Sequence, residues 1–214
     1  MCSNTTSDDL LPCPTHHTHP YHFSELELGS GSNQQPYFRA LVFFNKKPGL
    51  TDEFFHEHWK SVHADLTMQV EGAGLDLVRY VQFHQEFQHK VSIEPLLEAS
   101  GGTMQIAPYD GCAEFHAESV EKFVGFMKNV YASSHLLMCS GCGTRFVDLV
   151  KGYNVMVGYD NLIFGRGIPG VGSDAILAED TRLNMRSEGK QTKKAAQRKK
   201  VDSGTEEAET GNAE

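Results

Sequence analysis

The sequence carries acid–base equipment in its middle third: His63, Tyr80, His84, Asp110, Glu114 and His116. Histidine titrates near neutrality and both gives and takes protons. An imidazole in an apolar pocket beside a carboxylate or phenol has its pKa moved, which suits proton transfer on an organic substrate. Each group also has a plainer role open to it. His63 can be a helix-end residue bonded to backbone, Asp110 can cap a turn before a strand, and Glu114 can pair with Arg39 across strands. Trp59 serves as a core residue or as a substrate platform.

Motifs for other chemistries are missing or incomplete. There is no G-x-G-x-x-G after a strand, no P-loop and no G-x-S-x-G elbow, and Gly165-Arg166-Gly167 lacks the rest of a nucleotide fingerprint. The expectation is therefore no nicotinamide, flavin or nucleotide cofactor. Cys139-Ser140-Gly141-Cys142 is a lone C-x-x-C inside a late helical stretch, with no clear further pair of zinc ligands, and reads as coincidence. His16, His17, His19 and His22 could meet zinc, copper or nickel, but a flexible polar segment offers no support for a defined site. No metal is expected in the domain core.

The elements that must position these groups follow from periodicity. Phe38 to Phe44 is a short apolar run, a strand apolar on both faces, ended by Lys46-Lys47-Pro48-Gly49. Thr51 is an N-cap, with Asp52 and Glu53 in the first turn. Phe55, Trp59, Val62 and Leu66 form one apolar helical stripe, flanked by His56 and His63. Leu77 to His84 alternates, with Tyr80, Gln82 and His84 on one face and Val81 and Phe83 on the other. Asp110 to His116 is a third strand, Glu118 to Tyr131 an amphipathic helix, and Asn154 to Ile163 a fourth strand, again apolar. The long segment from His89 to Pro108 holds a short helix around Pro95 to Ala99. The order β-α-β-β-α-β is the split βαβ arrangement. Two helices cover one sheet face, so the doubly apolar first and fourth strands call for a second surface. A second copy of the chain supplies it most simply.

Lys47-Pro48-Gly49-Leu50, Phe54 through Trp59, Val62-His63-Ala64 and Arg79-Tyr80-Val81-Gln82 together resemble the EthD family. Tyr109-Asp110-Gly111 with Glu114, and Arg145-Phe146-Val147-Asp148, extend the likeness, which covers roughly Tyr37 to Phe164. The resemblance implies an α+β, ferredoxin-like dimeric α+β barrel. Within the family the chain resembles a branch from fungal aromatic-polyketide clusters, the decarboxylases acting on atrochrysone carboxylic acid. It implies a cofactor-free pocket for a flat polycyclic aromatic, and supports His63 and Tyr80 as family-like positions, with His84 a weaker carry-over.

The 214 residues suffice for one domain with tails. The expected layout is a disordered His-rich lead over 1–35, the barrel domain over 36–166, an arm over 167–185 and a disordered charged tail over 186–214. A net charge of −9 argues against generic nucleic-acid binding, and no apolar run approaches a membrane span. The absence of a basic-then-apolar leader and the odd cysteine count predict a cytoplasmic setting. The resulting expectation is a homodimeric carboxy-lyase acting on an aromatic polyketide. His84 would deliver the proton, Tyr80 bond a ring oxygen, His63 pair with the carboxylate and Asp110 orient one histidine. Trp59, Gln82, Glu114 and His116 would hold substrate. Dehydration, cyclisation and cofactor-free oxygenation demand similar groups. A non-catalytic polyketide-binding or structural role is the alternative of a different class.

Overall fold

The computed structural model describes residues 18–29, 33–134 and 141–186, the last three by backbone only. The described chain runs β1 (Gln34–Phe44), α1 (Asp52–His58), a π-helical turn (Trp59–His63), α2 (Ala64–Met68) and β2 (Leu77–His84). It continues through α3 (Phe87–Ser92), α4 (Glu94–Ala99), β3 (Gly111–Ala117), α5 (Val120–Ala132), α6 (Gly143–Phe146) and β4 (Asn154–Asn161). The strands form one antiparallel sheet in the order β2-β3-β1-β4. Because β1 and β2 both run antiparallel to β3, the intervening α1–α2 segment is a crossover, as the split βαβ pattern requires. The fold is α+β and ferredoxin-like.

Thr51 caps α1, its hydroxyl accepting from the Phe54 amide at 3.2 Å, and Ser119 caps α5 from the Lys122 amide at 3.3 Å. Phe55 and Trp59 from α1 and the π-turn, with Phe126 and Val130 from α5, pack onto Val42, Phe44, Ala113 and Phe115 of the sheet. Gly111 is dictated by this packing. A Cβ there would overlap the Trp59 indole ring.

The expected apolar stripe on the first helix is corrected at one point. The Ala64 amide reaches back to the Trp59 carbonyl, five residues away, so the helix carries one extra residue in that turn. The phase slips there. Val62, expected inside, is 47% exposed, while His63 turns toward the core. A 3.6-residue period assumes an unbroken i→i−4 ladder and cannot register the insertion.

Other boundaries differ, among them the end of β4, at Asn161 and not Ile163, and those of α5, Val120–Ala132 and not Glu118 to Tyr131. β3 begins at Gly111, so Asp110 precedes it and its carboxylate accepts from the Lys46 amide at 2.9 Å, the turn-capping role. β4 is an edge strand with Val155, Met156, Val157 and Tyr159 all exposed. The arm after Phe164 folds back onto the start of β1. Ile176 bridges Phe164, and the buried Gln35 amide donates to the Ser173 carbonyl at 3.2 Å. His16, His17, Cys139 and the charged run from Lys190 onward lie outside the described residues.

Candidate active site

β2 positions the site. Its alternation puts Tyr80, Gln82 and His84 on the helix side, opposite Phe115, Ala113 and Gly111 of β3. Tyr80 stacks flat on Phe115, with centroids 4.9 Å apart and planes 4° from parallel. The π-turn above delivers Trp59, whose ring lies 4.2 Å from that of His84, and His63, which meets Phe146 edge-on at 4.9 Å. Single π-turns recur at functional sites because they re-aim side chains that a regular helix would hold elsewhere.

Between these elements lies an apolar cavity of about 50 Å³, lined among others by Trp59, His63, Tyr80, Phe115, Met127 and Phe146. His63 and Tyr80 are among the polar residues that line it, with Thr67 and Tyr153. His63 Nδ1 is buried with no hydrogen-bond partner among the described residues. Burial, with a smaller push from His58, holds the His63 pKa down to about 4, so the ring is a neutral imidazole at pH 7. Burial likewise raises the pKa of Tyr80, against hydrogen bonding by Gln82, Trp59 and Thr67, and keeps the phenol protonated.

Hydrogen bonds join the rest of β2's helix side. Gln82 Nε2 lies 2.9 Å from Tyr80 Oη and 3.0 Å from the Trp59 carbonyl oxygen. His84 Nε2 lies 3.2 Å from Gln82 Oε1, and its Nδ1 lies 2.8 Å from Nδ1 of His56. Burial first, then His56, lowers the His84 pKa to about 4. His84 stands beyond Gln82, outside the residues that line the cavity.

Of the residues expected at one site, the structure thus gathers Trp59, His63, Tyr80, Gln82 and His84. Asp110 joins them only through space. Its bonds go to the Lys46 amide and to Lys90 Nζ at 3.3 Å, and its charge acts on His56. Glu114 and His116 sit on the other side of the sheet, paired in register with Val81 and Arg79. There Glu114 takes a 2.6 Å bond from Arg39, which also reaches Asp160 at 3.0 Å. Burial pushes the His116 pKa down, as does the nearby Arg39, and its ring lies against Tyr37 at 5.1 Å. Within the chain Glu114 and His116 cannot act with Tyr80, because the sheet separates them. Sequence reasoning missed His56, Thr67, Met127 and Phe146. His56 left a faint signal, as a second histidine beside the apolar stripe, but nothing in the order of residues pairs it with His84.

Cys142 of the C-x-x-C lies 3.1 Å from His58 Nε2. Among the described residues no group of three or more His, Cys, Asp or Glu side chains is placed to hold a metal ion, and no helix is long and apolar enough to cross a membrane.

Residues 47–138 match the family model of the EthD domain, a segment that contains α1, the π-turn and all of β2 and β3. EthD domains occur in a family that includes enzymes. No curated protein matches the chain.

Proposed function

We propose that the protein is a tailoring enzyme of aromatic polyketide synthesis that works with its own side chains, decarboxylating atrochrysone carboxylic acid or a similar polycyclic aromatic acid. The observation that carries this reading is His63 Nδ1, a buried neutral base without a partner, in the same apolar cavity as the protonated Tyr80 phenol. An unpartnered buried nitrogen costs about 1–3 kcal/mol, which a bound acid would recover.

The step balances without a co-reactant. The substrate carboxylic acid gives its proton to His63. The carbon–carbon bond breaks, carbon dioxide leaves, and the electron pair moves onto a neighbouring keto oxygen, or onto that of a ring phenol in its keto form, which Tyr80 holds by its O–H. His63 then returns the proton to the ring carbon. An apolar cavity favours the loss of charge from carboxylate to carbon dioxide. His63 replaces His84 as the proton donor in this scheme, because His84 does not line the cavity.

Incubating the purified protein with the carboxylated precursor in deuterated water tests the reading. Mass spectrometry should show loss of carbon dioxide and gain of one deuterium on carbon. Loss of water or gain of oxygen would instead assign dehydration or oxygenation. One observation favours a non-catalytic role: a cavity of about 50 Å³ is far below the roughly 300 Å³ or more usual for a small-molecule site. Decarboxylation therefore requires α5 and α6 to move outward on binding. Absence of any product, together with no saturable binding of the acid, would select the structural role.

A further inference from the structure

The hydrogen-bond line on the helix side of β2 has one consistent assignment of protons. Gln82 Nε2 faces the Trp59 carbonyl oxygen at 3.0 Å. A carbonyl only accepts, so the amide NH₂ must stand there, and the same NH₂ donates to Tyr80 Oη at 2.9 Å. Gln82 Oε1 is then turned to His84 Nε2 at 3.2 Å, and that nitrogen must carry a proton. A neutral His84 keeps its lone pair on Nδ1. The nitrogen facing it at 2.8 Å, Nδ1 of His56, must therefore hold the proton between the rings. His56 is left with its lone pair on Nε2.

We infer that His56 and His84 form a proton-sharing pair that locks the Gln82 amide and so aims the Tyr80 hydroxyl as a donor into the cavity. Both histidines are positioning residues, acting on substrate through Gln82 and Tyr80. Gln82 donates to Tyr80 Oη, which leaves the phenol its own proton to give, either to Thr67 Oγ1, whose proton goes to the His63 carbonyl at 2.7 Å, or to a substrate oxygen in the cavity that both residues line. The role of Tyr80 toward a substrate oxygen rests on the proposed decarboxylation; the proton assignment does not.

The charges around the pair preserve the direction of the line. Glu86, Asp52 and Asp110 favour a proton on His56, with Lys46 opposing. His84 has Glu86 in its favour and both His56 and Lys60 against it. A third proton on the pair thus goes to His56 Nε2, and His84 Nε2 still donates to Gln82. Only charging both rings would set two N–H groups against each other at 2.8 Å.

Long-range proton–nitrogen NMR of the ¹⁵N-labelled protein at pH 7.5 reads the tautomers directly. His56 should be the Nδ1–H form, the minor one for free imidazole, and His84 the Nε2–H form. His56 in the Nε2–H form would overturn the proposal. In His56→Asn the side-chain amide can still donate to His84 Nδ1, so His84 should remain Nε2–H. His56→Leu removes the donor, and His84 should lose that fixed form. If His56→Leu does not fold, the His56→Asn spectrum decides. On the proposed substrate, His56→Leu should lower kcat about tenfold or more with KM little changed, and His56→Asn should recover most of it. Equal turnover in wild type, Leu and Asn proteins would remove the positioning role. A wild-type protein inert toward aromatic acids would remove the proposed reaction and leave the tautomer result standing.

Discussion

On the helix side of the sheet, Tyr80, Gln82 and His84 bond to one another under Trp59, and His63 shares the cavity that Tyr80 lines; no formal charge stands among them at pH 7. On the open side, one residue along the same strands, Arg39 bridges Glu114 and Asp160, with His116 and Tyr37 close by. Exposed Phe83 and Met156 flank that charged centre, 59% and 61% exposed. Both groups of residues are polar strand residues in apolar surroundings. The first is closed over by helices and depends on neutral hydrogen bonds, which suits a site that changes a substrate's charge. The second, whose charged side chains stay partly exposed, balances ions against ions, which suits an interface. Covering, more than residue type, separates them.

The largest expected effect tests how far the helix side depends on its roof. Trp59 is 1% exposed, so Trp59→Ala should cost about 3–5 kcal/mol in urea unfolding. A loss below 1 kcal/mol would show that the indole is not part of the core. Next, His63→Gln should lower turnover about a hundredfold or more while leaving the fold intact. If His63→Gln turns over like wild type and His84→Ala does not, the chemistry moves to His84.

The open side is sharpened by a charge. Met156→Asp puts an unpaired carboxylate on the face proposed to meet a second copy, and should weaken the homodimer by about tenfold or more in sedimentation. A compact wild-type monomer at micromolar concentration would refute the dimer itself. Arg39→Gln leaves Glu114 and Asp160 facing each other without a cation, and should cost about 1 kcal/mol with little change in turnover. A turnover loss as large as that of His63→Gln would join the two faces into one functional unit.

The last test is the pH response. His63 and His84 resist protonation down to about 4 when folded, against 6.5 for a free side chain. Between those values the unfolded chain binds more protons than the folded one. The stability held above pH 6.5 is therefore lost progressively as pH falls toward 4. Urea midpoints at pH 7 and 5 should differ less in a His63→Gln, His84→Gln double variant than in wild type. An unchanged difference would assign the acid sensitivity to other groups, among them His56, His58 and His116, whose pKa values burial also lowers.

Much of this arrangement was legible in the order of residues. Local signals act within a few positions, so β2 from Leu77 to His84, the Thr51 cap and the alternation of Tyr80, Gln82 and His84 followed from spacing and type, while the Arg39–Glu114 pair was one of the roles open to Glu114. The βαββαβ order, and with it the ferredoxin-like sheet, followed from the same signals. Three things were decided only by tertiary structure. The π-turn at Trp59–His63 swaps Val62 for His63 because the packed core, not helix propensity, selects which side chain turns inward. His56 meets His84 across 28 residues of chain, a contact no periodicity encodes. Glu114 and His116 leave the company of Tyr80 because strand parity, set by pairing in register with Val81 and Arg79, assigns each residue to one side of the sheet. Pattern tells which residues share a face of one strand; only pairing tells which faces of different strands coincide.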